Sequence, residues 1–377
     1  MKNIRIGLLG FGAMGKTHLY AINNLPYFYA SLPFSATVTT LATAHRERAE
    51  EAAEIYHIPR VADSEEDIIN NPDIDVIDIC TPNCFHYETA YRALQAGKHI
   101  YCEKPLAVTY EQAEELAMLA EKAGVTAQIV FNNRFMGAAM RAKQLIDEGR
   151  LGRIISFRGE YLHTSAIFKE KPIGWKQNRD ICGGGVLFDL GSHVIDMIYY
   201  LCGRFDSVVG ASQIAFKDRI GADGKPWKTN ADEAFYMLAR LANGAMGTIE
   251  VSKVVAGSND DLNIEVRGEK GSLRFSLMDP NFLYFYDGTR KDGVLGGECG
   301  YQAIECVGRY PAPAGIFPGM RAPVGWLRGH IGSMYAFLSA VSEERVASPS
   351  FRDGAHVQWV MQEAYRTDIN SNRFNQI

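Results

Sequence analysis

Ile4-Arg5-Ile6-Gly7-Leu8-Leu9-Gly10-Phe11-Gly12-Ala13-Met14-Gly15 is an apolar strand that runs straight into a glycine loop. In that context the GxGxxG spacing has a physical reading. Gly10 permits a tight turn, Gly12 lets backbone approach a pyrophosphate, and Gly15 permits close packing of a helix on the strand. The helix that follows, read over residues 17–23, has its N-terminal amides facing the phosphate charge. Gly10, Phe11, Gly12, Ala13, Met14 and Gly15 are therefore the first candidate dinucleotide-binding residues.

Outward from this loop, strand and helix patterns alternate. Residues 37–42 read as a strand, 46–56 as a helix, 76–80 as a strand after the turn signal Asn71-Pro72-Asp73, and 87–96 as a helix stopped by Gly97. Residues 99–102 read as a strand, 111–123 as a helix with Gly124 just past its end, and 128–131 as a fifth strand. This alternation predicts a doubly wound parallel sheet, a Rossmann domain over residues 1–132. Residues 24–35 interrupt it with Leu25-Pro26-Tyr27-Phe28-Tyr29. Two readings stay open there: a loop packing its own aromatics, or a flap near a ligand or subunit contact.

Beyond residue 150 the pattern changes. Residues 154–162 are extended and 184–201 helical, and strands follow at 207–216, 233–241, 246–255, 262–267, 273–276 and 282–286. Asn243-Gly244 and Glu269-Lys270-Gly271 mark turns between neighbours. Strands in succession predict an α+β domain over residues 133–350 with a large, mainly antiparallel open sheet. One face would be covered by helices and the other available to a partner chain. Residues 291–324 are rich in Gly and Pro. Residues 329–341 and 354–366 read as closing helices, the last expected to pack back near the first domain as part of residues 351–377.

The 377 residues carry a net charge of −5, with 47% hydrophobic and 22% charged residues. That balance argues against nucleic acid or an acidic membrane surface as partner. The apolar runs are shorter than the roughly 18 residues of a membrane helix, and the first residues do not read as a signal segment, so a cytoplasmic location is expected. Seven cysteines form no CxxC pair, which indicates neither a disulfide framework nor a zinc cluster, and no metal is expected.

Two further places carry chemistry. Gly183-Gly184-Gly185-Val186-Leu187-Phe188-Asp189-Leu190-Gly191-Ser192-His193 sets a carboxylate and an imidazole four residues apart, on one face if helical. A carboxylate beside an imidazole orients it and raises its basicity, as a general base for an alcohol requires. A surface pair or a helix cap is the plainer reading, but three glycines ahead of the pair would let backbone come close to something. Lys104, in Glu103-Lys104-Pro105, ends a buried-looking strand where parallel sheets bind ligands. Its ammonium there could stabilise a developing alkoxide. At the end of the second strand, Ala44 stands where an acid would hold the adenosine ribose. Thr43, His45, Arg46 and Arg48 could instead surround a 2′-phosphate, or the arginines could simply pair with nearby glutamates.

The glycine loop, Thr81-Pro82-Asn83, Ala96-Gly97-Lys98-His99, Glu103-Lys104-Pro105 and the Gly183–His193 stretch resemble, in order and spacing, the glucose–fructose oxidoreductase / inositol dehydrogenase / MocA (Gfo/Idh/MocA) family. The resemblance spans essentially the whole chain. It implies an NAD- or NADP-dependent dehydrogenase of a sugar, cyclitol or glycoside, with the absent ribose acid leaning towards NADP. It implies Lys104, Asp189 and His193 as the catalytic trio, with a cis Lys104-Pro105 bond. It also implies Asn83 and His86 near the nicotinamide ribose, Thr81 and Pro82 among the cofactor-binding residues, Glu103 as the acid on the nicotinamide side, and Arg134 and Trp175 at the pocket's border. Tyr161, His163, Lys176, Asp232 and His330 are candidate substrate residues, His330 equally a helix cap. Tyr310, Phe317 and Trp326 add aromatics that could stack on a sugar or pack in a core. A homodimer or homotetramer is expected. Two alternatives remain: a glycoside-cleaving enzyme that works by transient oxidation and elimination, and a non-catalytic sugar or redox sensor.

Overall fold

Strand β1 (Lys2–Leu9) is fully buried from Ile6 onward. Helices cover both faces of a central parallel strand, so such a strand reads as a continuous apolar run. The computed structural model describes residues 1–221, 223–308, 312–313, 317, 319 and 321–369. From β1 the chain continues through α1 (Ala13–Phe28), β2 (Phe34–Ala42), α2 (Arg46–Tyr56), β3 (Arg60–Val61), α3 (Glu65–Ile69), β4 (Val76–Ile79), α4 (Asn83–Gln95), β5 (His99–Cys102), α5 (Tyr110–Ala123) and β6 (Ala127–Ile129). The strand order is β3-β2-β1-β4-β5-β6, and every pairing is parallel. The order switches direction beside β1, which places a ligand crevice at the strand ends there.

Helix α1 runs to Phe28, longer than the sequence suggests, with Pro26 in its last turn. Leu19, Ile22 and Leu25 form its buried stripe, and their burial outweighs the local proline signal. Tyr29 then stacks on Tyr335 with ring centroids 3.8 Å apart, and Phe28 lies 5.1 Å from Phe317. The aromatic insert therefore packs within the fold. Helix α3, not evident in the sequence pattern, starts on a reciprocal cap between Ser64 and Asp67.

The second unit contains α6 (Gly137–Asp147), β7 (Ile154–Leu162), α7 (Arg179–Cys182), a π-turn (Leu187–Gly191), α8 (Ser192–Cys202) and the strands β8 (Phe205–Gln213), β9 (Asp218–Ile220) and β10 (Pro226–Lys228). It continues with β11 (Ala234–Leu241), β12 (Met246–Ser252), β13 (Asp261–Gly268), β14 (Gly271–Ser276), β15 (Phe282–Asp287) and β16 (Tyr301–Glu305). Eight strands form one sheet, ordered β16-β15-β14-β13-β7-β12-β11-β8. All its pairs are antiparallel except β7 with β12, so the sheet is mixed rather than wholly antiparallel. Helices α6 and α8 cover one face. A Cβ on Gly159 of β7 would stand 2.4 Å from Val194, so α8 sits directly on the strand. Val209, Tyr236, Leu238 and Met246 are exposed. The run Arg179–Cys202 is long and apolar enough to cross a membrane by composition, yet 78% of its apolar window is buried inside the fold, as in a core helix.

The chain closes with α9 (Leu327–Ser342) and α10 (Phe351–Arg366). It divides into two compact units, residues 1–135 with 309–358 and residues 136–308 with 359–377. The sequence assigned 133–350 to the second domain, whereas 309–350 belong to the first unit. The reason is burial: Ile331, Met334, Phe337, Leu338 and Val341 of α9 share one core with Ile4, Ile6 and Leu8 of β1. The first part of α10 also belongs there, with Arg352 paired to Glu121 at 3.0 Å and to Glu114 of α5. Phe337 is fully buried, 5.0 Å from the Tyr101 ring. Phe337→Ala should cost about 3–5 kcal/mol in urea unfolding; a loss under about 1 kcal/mol would mean that α9 is peripheral to the first core.

Candidate active site

The glycine loop has the geometry its spacing suggests. Gly10 sits at φ +88°, and a Cβ there would lie 2.6 Å from the Cys80 carbonyl at the end of β4. A Cβ on Gly15 would lie 2.3 Å from the Gly10 carbonyl, so helix and loop touch backbone to backbone. Gly12 differs. It is the N-cap of α1, and a Cβ there would meet nothing within 4 Å. No acid occupies the first turn of α1 and no side chain caps it. Phe11, Ala13 and Met14 complete a loop whose open amides suit a dinucleotide pyrophosphate.

At the end of β2, Thr43 donates its hydroxyl to the His45 carbonyl at 2.8 Å, closing a local turn before α2. Arg46 pairs with Glu50 at 2.7 Å and with Asp63. That is the carboxylate-paired arrangement, not a guanidinium held open for a phosphate. Arg48 lies exposed on α2.

The ends of β4 and β5 are more heavily engineered by buried charge. His18 of α1 is 1% exposed, with Nδ1 2.8 Å from Asp78 Oδ1 and Nε2 3.1 Å from Glu103 Oε1. Burial alone would favour a neutral imidazole; the Asp78 carboxylate overrides it and raises the His18 pKa well above its ordinary value. Burial likewise opposes the Glu103 carboxylate, but the bond and charge of His18, with Lys104, hold its pKa at about 2. Cys80 Sγ lies 3.1 Å from His18 Nδ1. Burial pushes its thiol far up, so a neutral thiol, not a thiolate, sits beside the ring.

Next to this cluster, the Lys104-Pro105 peptide is cis and the Lys104 N–H donates to Glu103 Oε2 at 3.2 Å. Pro82 caps α4 and Asn83 is buried behind it. His86 is fully buried, with Nδ1 2.7 Å from the Pro105 carbonyl and Nε2 2.8 Å from the Thr81 carbonyl. Burial keeps the ring neutral, with one N–H, so it donates to one of these two carbonyls, the nearer being that of Pro105. Arg134 is buried, 3.7 Å from Asp353. His330 is not at a cap and belongs to the first unit, not the second. It lies in the first turn of α9, 2% exposed, edge-on to Trp326 at 4.3 Å and 6.2 Å from the His18 ring. Burial and the His18 charge press its pKa down to about 3.

In the second unit, Gly184 and Gly185 do approach something closely, and it is protein. Gly183 ends α7 at φ +82°; a Cβ on Gly184 would stand 2.5 Å from the Phe188 ring, and one on Gly185 2.3 Å from the Asp232 carbonyl. The Asp232 carboxylate accepts from Gly185 N–H at 3.1 Å, Leu187 N–H at 3.3 Å and the Tyr365 hydroxyl. It pins the start of the helix. The helix opens as a π-turn over Leu187–Gly191, an arrangement frequent at functional sites.

Asp189 leaves this turn towards two ammonium groups, Lys176 Nζ at 2.8 Å and Lys253 Nζ at 2.9 Å. Trp175 lies beside Lys176, whose Nζ is 5.8 Å from the indole ring. The His193 ring is 6.0 Å from the Tyr161 ring, and Tyr161 is 5.1 Å from His163. Tyr161 donates to Asp260 Oδ1 at 2.5 Å, and His163 Nε2 lies 3.0 Å from the same oxygen. Against the effect of burial, those two bonds and the nearby His193 lower the Asp260 pKa. The second unit thus gathers Tyr161, His163, Lys176, Asp189 and His193, together with Lys253 and Asp260, which the sequence reading missed. Of the loop aromatics, Phe317 and Trp326 pack in the first unit; Tyr310 lies outside the described residues.

Residues 4–131 match the oxidoreductase family with an NAD-binding Rossmann fold, and residues 139–274 match the GFO/IDH/MocA C-terminal domain. The chain belongs to the Gfo/Idh/MocA oxidoreductase family. It is 32% identical over 371 residues to a levoglucosan dehydrogenase of Pseudarthrobacter phenanthrenivorans, covering 95% of this chain and 94% of that one. It is 30% identical over 200 residues to a Bacillus subtilis scyllo-inositol 2-dehydrogenase (NADP(+)), covering 53% and 52%. A levoglucosan dehydrogenase solved with NADH and levoglucosan superposes with a TM-score of 0.93 at 31% identity, covering 98% of each chain. The chain is thus a nicotinamide-dependent enzyme of a family of sugar and cyclitol dehydrogenases, and the pyrophosphate cradle at Gly12 fits NAD or NADP.

The two glycines make separable predictions. Gly12→Ala should leave the melting temperature of the cofactor-free protein within about 2 °C and weaken NADH binding at least about tenfold, read by fluorescence titration. Gly15→Ala should lower stability by about 1–3 kcal/mol, because backbone must move to admit the Cβ.

Proposed function

We propose that this enzyme oxidises a secondary alcohol of a cyclic sugar, with levoglucosan the first substrate to try. The observation that carries the reading is Asp189, held by two lysines on a π-turn four residues before His193, in a chain similar along its whole length to a dehydrogenase solved with NADH and levoglucosan. Lys104 holds the reacting oxygen and stabilises developing alkoxide charge. His193 takes the hydroxyl proton, with Asp189 as its charged neighbour. As the O–H bond breaks, the carbinol carbon becomes a carbonyl and releases hydride. Bound nicotinamide supplies the hydride acceptor. Tyr161, His163 and Lys176 offer hydrogen bonds to the other sugar hydroxyls.

NAD is the proposed cofactor, against the NADP lean of the sequence. Support comes from Arg46, whose pairing with Glu50 and Asp63 leaves it poorly placed for a 2′-phosphate. The exposed Val209, Tyr236, Leu238 and Met246 favour a homodimer or homotetramer formed through the open sheet face. We place the enzyme in the cytoplasm, where a soluble nicotinamide pool would serve it.

Lys104→Ala should lower kcat about a thousandfold while NADH binds within about threefold of wild type. Turnover near wild type in that variant would sink the assignment. With levoglucosan, kcat/KM for NAD should exceed that for NADP at least about tenfold, measured by absorbance of the reduced cofactor. The reverse order would return the phosphate-binding reading of Arg46 and Arg48. Release of an aglycone with no net cofactor reduction would favour the glycoside-cleaving alternative.

A further inference from the structure

His18 is the buried group that the proposed chemistry does not use. It lies on α1, the helix whose N-terminus frames the glycine loop, and its ring reaches the last residue before the lysine turn. Glu103 is fixed from three directions. Its N–H donates to the Ile79 carbonyl at 2.9 Å, its Oε1 meets His18 Nε2 at 3.1 Å, and its Oε2 accepts the Lys104 N–H at 3.2 Å. On the far side of the lysine, the Pro105 carbonyl is held by His86 at 2.7 Å. The Glu103-Lys104-Pro105 turn is thus gripped by one imidazole before Lys104 and another after it.

We propose that His18 is a positioning residue: clamped between Asp78 and Glu103, it holds the Glu103 side chain against the Lys104 backbone and thereby sets where the Lys104 ammonium stands. This rests on the role of Lys104 given above. Two buried carboxylates, Asp78 and Glu103, are 1% and 6% exposed, and two such anions with no cation between them could not both stay ionised. The imidazolium satisfies both. The groups that face it are Asp78 from β4 and Cys80 just after it, Tyr101 from β5 and Glu103 just after it, and His330 from α9. Cys80, Tyr101 and His330 are neutral near pH 7, by the upward shifts of the thiol and phenol and the downward shift of the imidazole. The carboxylates and His18 therefore set the local charge, together with Lys104 beside them.

Replacing His18 with a neutral side chain should let burial raise the Glu103 pKa. The protonated acid would then release its grip on the turn at low pH and recover it as pH rises. For His18→Gln we expect kcat about 10–100-fold below wild type near pH 6. The deficit should shrink towards pH 9, with the NADH dissociation constant within about threefold of wild type. In the double variant His18→Gln/Glu103→Gln the Glu103 carboxylate is gone, and the part of the deficit that follows its titration should vanish. Amine-reagent labelling of Lys104, followed by mass spectrometry, should change at least about threefold between wild type and His18→Gln. A deficit that is flat with pH, or kcat and NADH affinity that fall together, would overturn the proposal in favour of a merely structural histidine. Unchanged Lys104 labelling would overturn it as well. If His18→Gln does not fold, Glu103→Gln tests the same contact from the other side, and wild-type kcat there would overturn it. Labelling also separates the two claims: turnover in Lys104→Ala defeats the role of the lysine, while altered labelling in His18→Gln still reads the positioning.

Discussion

The first unit is organised around a cation between two anions. Asp78 interrupts the buried strand β4, and Glu103 directly follows β5 beside it. Desolvating these carboxylates is expensive, and repulsion between them adds to the cost. His18 resolves both at once with separations of 2.8 and 3.1 Å. Because the imidazole comes from α1, the register of that helix against β4 and β5 cannot slip without stranding a charge. The hydrogen bonds around it continue the constraint outward, from Tyr101 to Ser333 at 2.7 Å and from Gln128 to Ser333 at 3.0 Å. Helix α9 is thus bound to the sheet by polar specificity as well as by the apolar surface of Phe337 and Leu338.

Close backbone approach is the second constraint, and it operates in both units for different ends. At Gly10 and Gly15 the loop, the end of β4 and α1 touch without side chains between them, which leaves Gly12 alone with open space in front of it. At Gly184 and Gly185 the open space is filled by Phe188 and Asp232. Glycine-rich sequence therefore leaves open space before the backbone in the first unit and a protein-filled contact under the π-turn in the second. Only the neighbours tell them apart.

That contrast explains what could be read from the sequence. The Rossmann order and the sheet-rich second half follow from periodicity, and the bounds of α2, β5 and β7 coincide with the patterns that announce them. The length of α1 does not, because Pro26 is a local stop signal and the burial of Ile22 and Leu25 is a tertiary one. Residues 309–358 join the first core through contacts made with chain more than 300 residues away, such as Ile4 with α9, and no local pattern encodes such a return. Lys253 and Asp260 lie after β12, far in sequence from the Asp189 and His163 they bind. His18 did leave a signal: an acid inside β4 and another just after β5, beside apolar residues such as Ile77, Ile79, Ile100 and Tyr101, call for a cation nearby, and a histidine follows the glycine loop by three residues.

The electrostatics around Asp189 refine the picture of a carboxylate simply activating an imidazole. Asp189 shares its charge with Lys176 and Lys253 at 2.8 and 2.9 Å, so its field at any neighbour is largely offset. The lysines in turn fix the carboxylate's position on a π-turn, whose wider spacing sets the direction in which residue 193 emerges. Asp260, lowered in pKa partly by His193, supplies a second negative charge, and it too is held by Tyr161 and His163. A proton arriving on His193 would therefore be stabilised mainly by Asp260, with the lysine-paired Asp189 contributing less. If His193 is the base, as proposed above, it would become charged without dragging its anchored partners out of place, which would keep reorganisation small.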